Sequence, residues 1–357
     1  MSAEIAKGII DFSIRPSLGE LGNYLSQMRV APIDGVMVRL DGDDGSNYGN
    51  RVFGGGLLSR DRLRNAEEGL RRAKAIGFGK LRYNFIVIQI QSSVPWGVPG
   101  YLDQLSNFLM LLKFCSEQGV YGICFDVEPY DGKVWEWDNQ LLKGSISFSA
   151  MKSLVYSFGY TLGSEWQGKY SDVALMTTFG YEQYVNGLAP FEGNEYGLWA
   201  SMLDGIYDGA GGVIGSNTGK APLILGSEQG YGERDQFNML HYGLYELSNH
   251  VGYLPADRSG YGGNSVYFGE VEQYGMALYM DKPSFNPSTP DSNYWTPGAL
   301  ADMVGYLLTV SNFVWIYSGD YHFYGHSLVP TEYFTALNKV RAANGLKVGD
   351  GIPILYS

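Results

Sequence analysis

The sequence predicts an α/β fold, a (β/α)8 TIM barrel with loop insertions, from three observations. Short apolar runs alternate with amphipathic stretches from end to end, the runs number eight, and 45% hydrophobic against 17% charged residues over 357 positions can fill a large core. Strands separated by helices pair in parallel, and eight is the number that closes into a ring. No internal repeat or domain linker stands out, so the whole chain, 1–357, reads as a single barrel unit.

The runs that predict strands are Gly8–Ile14, Gly35–Leu40, Tyr83–Gln91, Gly122–Glu128, Val173–Phe179, Leu198–Asp204, Pro222–Glu228 and Phe313–Tyr317. Helical 3.6-residue spacing marks Leu18–Met28, Arg60–Ile76, Tyr101–Gln118, Ser149–Leu162, Asp235–Asn249 and Ala299–Val310. The fifth and sixth crossovers carry weak helical patterns. Residues 252–296, with an excess of Gly, Pro, Tyr and Asn, read as an insertion between strands seven and eight. Asp131–Lys143, with Trp135 and Trp137, decorates the end of strand four.

Charge excludes some partners. Twenty-five Lys and Arg against 37 Asp and Glu give a net −12, which repels phosphate backbones and anionic membranes, so neither nucleic acid nor membrane is expected. No stretch reaches the ~18 apolar residues of a membrane helix, and Met1–Lys7 has no basic or apolar leader pattern. A soluble chain is expected, exported only through a trimmed leader or by cell lysis. Cys115 and Cys124, nine apart with no CxxC pair, are expected as buried thiols rather than a disulfide. The 28 Tyr, 17 Phe and 7 Trp include many in loop-like stretches, where flat weakly charged ligands such as sugars would stack, or where ordinary packing would use them.

Strand parity sorts side chains into a helix-facing and a barrel-facing row. In strand four the apolar Ile123, Phe125 and Val127 face the helices, which turns Cys124, Asp126 and Glu128 inward. The seventh run turns Glu228 inward opposite Leu223 and Leu225. The same sorting places Asp11, Arg39, Asp41, Gln89, Gln91 and Trp315 inward, toward the carboxyl end of the strands where barrel chemistry is done. Singly, each has an ordinary structural role: a strand-end carboxylate caps a loop, and Arg39 pairs with Asp41 or Asp11.

Together, two carboxylates over one cavity suit glycoside hydrolysis, which needs one group protonated to donate and one ionised to attack or stabilise. Phe125-Asp126-Val127-Glu128-Pro129-Tyr130 and Ile224-Leu225-Gly226-Ser227-Glu228-Gln229-Gly230 resemble the strand-four and strand-seven ends of clan A retaining glycosidases. That resemblance implies Glu128 as acid/base, Glu228 as nucleophile, Arg39 at the end of strand two, Tyr207 bonded to the nucleophile, and Trp315 under the sugar. Val127 stands where the clan usually has Asn.

Asp126-Val127-Glu128 is also similar to the strand-four Asp-x-Glu of family 18 chitinases and to the Asp-Val-Glu of family 25 lysozymes. Gly8-Ile9-Ile10-Asp11-Phe12-Ser13 and Trp315-Ile316-Tyr317 echo the latter's first and last strands. These resemblances keep Glu128 as the acid and make Asp126 its partner on an N-acetylated glycan. Trp96, Trp135, Trp137, Trp199 and Trp295 are candidate stacking surfaces, and an acidic protein suits a neutral or cationic polysaccharide or oligosaccharide. A barrel that binds sugar without cleaving it is the rival reading; oligomeric state is open.

No cofactor or metal is expected. His322 and His326 are four apart across a glycine without an acidic ligand, Asp41 to Asn47 lacks EF-hand spacing, Gly54–Gly56 lacks the Lys of a phosphate loop, and Gly-x-Ser-x-Gly is absent.

Overall fold

A computed structural model describes residues 7–91, 93–130, 134–180, 195–211, 221–228, 231, 233–236, 273–280, 285–325 and 328–346. Eight parallel strands close into a barrel in chain order: β1 (Gly8–Ser17), β2 (Gly35–Arg39), β3 (Phe85–Ile90), β4 (Gly122–Pro129), β5 (Ala174–Thr177), β6 (Leu223–Ser227), β7 (Gln273–Tyr279) and β8 (Phe313–Tyr317). β1 pairs with β8 from Gly8↔Phe313 to Phe12↔Tyr317, which seals the ring.

Helices cover the outside: α1 (Leu21–Val30), α2 (Arg64–Ile76), α3 (Tyr101–Gln118), α4 (Phe148–Lys169), α5 (Trp199–Gly209), α6 (Pro297–Val310) and α7 (Thr331–Ala343). Their limits follow local chemistry. Ser147 and Thr296 accept N–H bonds from Ala150 and Ala299 to start α4 and α6, and Gly119 ends α3 at φ +60°.

Two layers of core result. Ile10, Phe12, Met37, Phe85, Val87, Cys124, Met176, Ile224, Ala277, Phe313 and Trp315 fill the lumen, while Ile9, Val36, Val38, Ile86, Ile123, Phe125 and Val127 pack against the helices. Cys115 and Cys124 are both buried free thiols. At the amino end of β2, the buried Asp34 accepts the Ile9 N–H and pairs with the fully buried Arg341 of α7 at 2.5 and 2.6 Å. No helix among the described residues is long and apolar enough to cross a membrane.

The barrel forms with a different sixth and seventh strand than the sequence suggests. Leu198–Asp204 is not a strand; it begins α5. Gly205 and Gly209 on α5 meet Gly159 and Gly163 on α4 so closely that a Cβ on any of them would lie 2.0–2.3 Å from a facing carbonyl oxygen. Two i,i+4 glycine pairs thus set a tight helix crossing that an apolar run alone does not reveal. The run Pro222–Glu228 is therefore the sixth strand. The seventh, Gln273–Tyr279, lies within the stretch 252–296 expected as an insertion, most of which falls outside the described residues, as do most of Asp235–Asn249 and His326.

Candidate active site

β4 carries the site because its pairing with β3 breaks where the chemistry begins. Partners run in step to Gln89↔Asp126 and then jump to Ile90↔Pro129, which leaves Val127 and Glu128 opposite no residue of β3. Such a bulge bends the strand end and re-aims its side chains. The cyclic order of the ring then matters. Alternate strands supply the same interior layer, so the ends of β4 and β6, separated only by β5, bring their inward side chains to the same level of the mouth. Glu228 follows β6 directly, and Asp126, Glu128 and Glu228 each bring a carboxylate oxygen within 4.8 Å of the other two.

Asp126 is the most constrained of the three. It is 2% exposed, and its Oδ2 accepts from Gln89 Nε2 at 3.0 Å and from the Tyr130 hydroxyl at 3.0 Å; its Oδ1 accepts from the Glu128 N–H at 3.2 Å. Burial pushes its pKa up from 3.8 to about 6, and the charge of Glu128 adds to this, while the Gln89, Tyr130 and backbone donors oppose it. Glu228 is buried and accepts the Tyr231 hydroxyl on Oε1. That phenol is driven upward by burial first and then by the charge of Glu228, so it stays a donor at every working pH.

Aromatic rings line the rest of the mouth. Tyr231, Tyr279 and Tyr317, at the ends of β6, β7 and β8, lie 4.8–5.8 Å apart between ring centroids, and Phe12 meets Tyr317 at 5.3 Å. Tyr130 is half exposed beside Asp126, and the Tyr196 hydroxyl is held up by burial and then by the nearby charge of Glu128. Trp315 lies beneath as a fully buried floor. Gly226 and Gly275 make room for its ring, since a Cβ at either would come within 2.5 Å of it.

Among the residues named from sequence, Asp126, Glu128, Glu228, Gln89 and Trp315 occupy this mouth or its floor. Others do not. Asp11 faces the helices instead of the lumen, because Ile10 and Phe12 are the lumen row of β1; a strand buried on both faces has apolar residues in both rows, and parity there is ambiguous. Burial raises the Asp11 carboxyl to about 8, tempered by the Tyr324 hydroxyl. Arg39 shares the inward parity but gives its Nη2 to Asp41 at 2.7 Å, the ordinary pairing. Tyr207 sits in α5 in the helix-facing core, so Tyr231 bonds Glu228 instead.

The tryptophans serve packing. Trp96, Trp135, Trp137, Trp199 and Trp295 are all at most 4% exposed. Trp135 packs at a tilt between Trp96 and Trp199 behind β4, and its indole donates to the Val127 carbonyl at 2.8 Å, holding the backbone between Asp126 and Glu128. Trp137 packs on Phe148. The tyrosines that do line the mouth were missed, although Tyr317 shares Trp315's parity and Tyr130 and Tyr231 follow the two glutamates by two and three residues.

Three carboxylates this close cannot all stay ionised without a counter-charge. Contrary to the expectation from sequence, the trio could hold a hard divalent cation. Asp126 Oδ2 already accepts from Gln89 and Tyr130, which leaves Oδ1, bonded only by the Glu128 N–H, as the Asp126 oxygen with a lone pair for such an ion.

No family model matches the chain, and no curated protein matches it. Similar solved structures include the GH18 chitinase ChiB of Flavobacterium johnsoniae, at 8% identity over 99% of this chain and 100% of that one with a TM-score of 0.41. A chitinase from Chromobacterium violaceum ATCC 12472 is 11% identical over 94% and 99% with a TM-score of 0.44. A GH5-4 broad specificity endoglucanase from Clostridium longisporum is 12% identical over 97% and 98%, also with a TM-score of 0.44. At these levels of likeness the chemistry of this chain rests on its own residues.

Proposed function

We propose that the protein is a glycoside hydrolase that cleaves a polysaccharide with retention, Glu128 acting as acid/base and Glu228 as nucleophile. The observation that carries this reading is the convergence of Glu128 and Glu228 oxygens within 4.8 Å at the mouth of a closed barrel. Retaining pairs stand ~5–5.5 Å apart, whereas inverting pairs leave ~6.5–9.5 Å for a water between them. The Tyr231 hydroxyl donates to Glu228 and so favours its ionised form, as a nucleophile requires. Glu228 closes the sixth strand where the clan A pattern has the seventh; the chemistry depends on convergence, which the alternate-strand layering supplies.

In turn, Glu128 protonates the glycosidic oxygen while Glu228 attacks the anomeric carbon; the glycosyl–Glu228 ester is then hydrolysed by a water that Glu128 deprotonates. Tyr231, Tyr279 and Tyr317 offer ring faces and hydroxyls to the sugar, and a net charge of −12 favours a neutral or cationic glycan.

A second reading, with Asp126 in place of Glu228 as the partner of Glu128 on an N-acetylated glycan, is favoured by one observation: Asp126 is the group the site holds in place with three donors. The anomer released from a glycan panel by wild type, Glu228→Ala and Asp126→Ala separates the two. A retained anomer with turnover lost in Glu228→Ala and measurable in Asp126→Ala supports the nucleophile at Glu228. Turnover kept in Glu228→Ala and lost in Asp126→Ala moves the role to Asp126.

A further inference from the structure

Outside the barrel mouth, a second concavity of about 490 Å³ lies between the first turns of α6 and the segment after β6, lined by Arg234, Asp235, Gln236, Trp295, Asp302 and Met303. None of these residues belongs to the catalytic trio or its partners. The size is that of a small-molecule site. Three features give it chemistry. Trp295 is 1% exposed and its indole N–H, buried, has no acceptor, a cost that native interiors rarely leave standing. The Arg234 guanidinium lies over Tyr294, 3.7 Å from the ring centroid, and 5.6 Å from that of Trp295, which holds its positive charge at this wall. Asp235 and Asp302 supply acceptors, and Met303 with Ala299 an apolar wall.

We propose that this concavity is a second carbohydrate-binding site, taking a short neutral stretch of the same glycan that is cut at Glu128; the identity of the ligand rests on the hydrolase reading above. An anion would face two carboxylates here, and a cation would face the guanidinium. A neutral sugar ring, by contrast, offers hydroxyls that accept from Trp295 and Arg234 and donate to Asp235 and Asp302, with C–H faces for Met303 and Ala299. The location suits one continuous chain. α6 starts on the face where the parallel strands end, and Arg234 follows Glu228 by six residues, so at most about 22 Å of extended backbone separates the two positions.

The test uses the full chain carrying Glu128→Gln, so that nothing is cleaved. The Trp295 indole resonance is assigned in a 15N–1H spectrum by its disappearance in Trp295→Phe, and cellohexaose, chitohexaose and maltohexaose are titrated separately. One of the hexaoses is expected to move that resonance, and Asp302→Ala, at an exposed position, to weaken the same binding about 2- to 10-fold, the worth of one hydrogen bond. A resonance that stays in place with all three sugars, or one that moves only with glycine, a zwitterion matching the same charges, overturns the proposal. The hydrolase reading fails by a different result, wild-type turnover in Glu128→Gln, which leaves the Trp295 measurement intact.

Discussion

Replacing Asp126 by Asn removes a titration that the barrel has shifted. Its carboxyl moves from 3.8 to about 6 on folding, chiefly by burial. The folded protein therefore holds this proton more tightly than the unfolded chain does, so the contribution of the group to stability is fully present below pH 3.8 and is lost as pH rises through about 6. At ~1.4 kcal/mol per unit, two units amount to roughly 3 kcal/mol lost by neutral pH. An unfolding entropy of ~2.1 cal/mol/K per residue over the whole chain converts this to a change in Tm of about 4 °C.

Thermal unfolding of wild type and Asp126→Asn from pH 4 to 7, read by circular dichroism, isolates the effect as a difference of differences. The Asn variant should gain on wild type by about 3–4 °C as pH rises, most of it below pH 6.5. Its loss of an acceptor for Tyr130 or the Glu128 N–H is pH-independent and shifts both ends of the curve alike. Parallel curves for the two proteins would refute the claim that burial raises the Asp126 carboxyl.

Other outcomes follow from single contacts. Tyr231→Phe deletes the hydroxyl donated to Glu228, a hydrogen bond to a charged group worth ~1.5–3 kcal/mol, and should lower kcat by roughly 10- to 100-fold with little change in Tm. Arg341→Met strands the Asp34 carboxylate in the interior and should cost about 3–5 kcal/mol in urea unfolding, far from the mouth.

Much of the barrel is legible in the sequence because parallel strands buried on both faces read as bounded apolar runs, and Gly35, Tyr101 and Phe313 begin their elements where those runs or spacings begin. Leu198–Asp204 misled because a short apolar run has no period of its own; the glycines that make it a helix act through contacts with α4, which lie 46 residues away, from Gly159 to Gly205. The Gln273–Tyr279 strand was hidden by its Gly and Tyr neighbours. Within the site, parity placed Asp126, Glu128, Gln89 and Glu228 because Val127 and Leu225 leave no choice of face, and it failed for Asp11 because Ile9 and Ile10 do. The loop tryptophans were legible as aromatic but not as buried: the N–H groups of Trp96, Trp135 and Trp199 reach the Val134, Val127 and Gly180 carbonyls only once the chain has folded.

The most direct measurement compares Glu128→Gln with wild type on a panel of neutral and N-acetylated glycans. Wild type is expected to hydrolyse at least one member, and the variant to lose at least ~10²-fold of that turnover, the lower end for removal of a general acid. Equal turnover by the two proteins, or sugar binding by wild type with no cleavage of any member, would contradict the hydrolase reading.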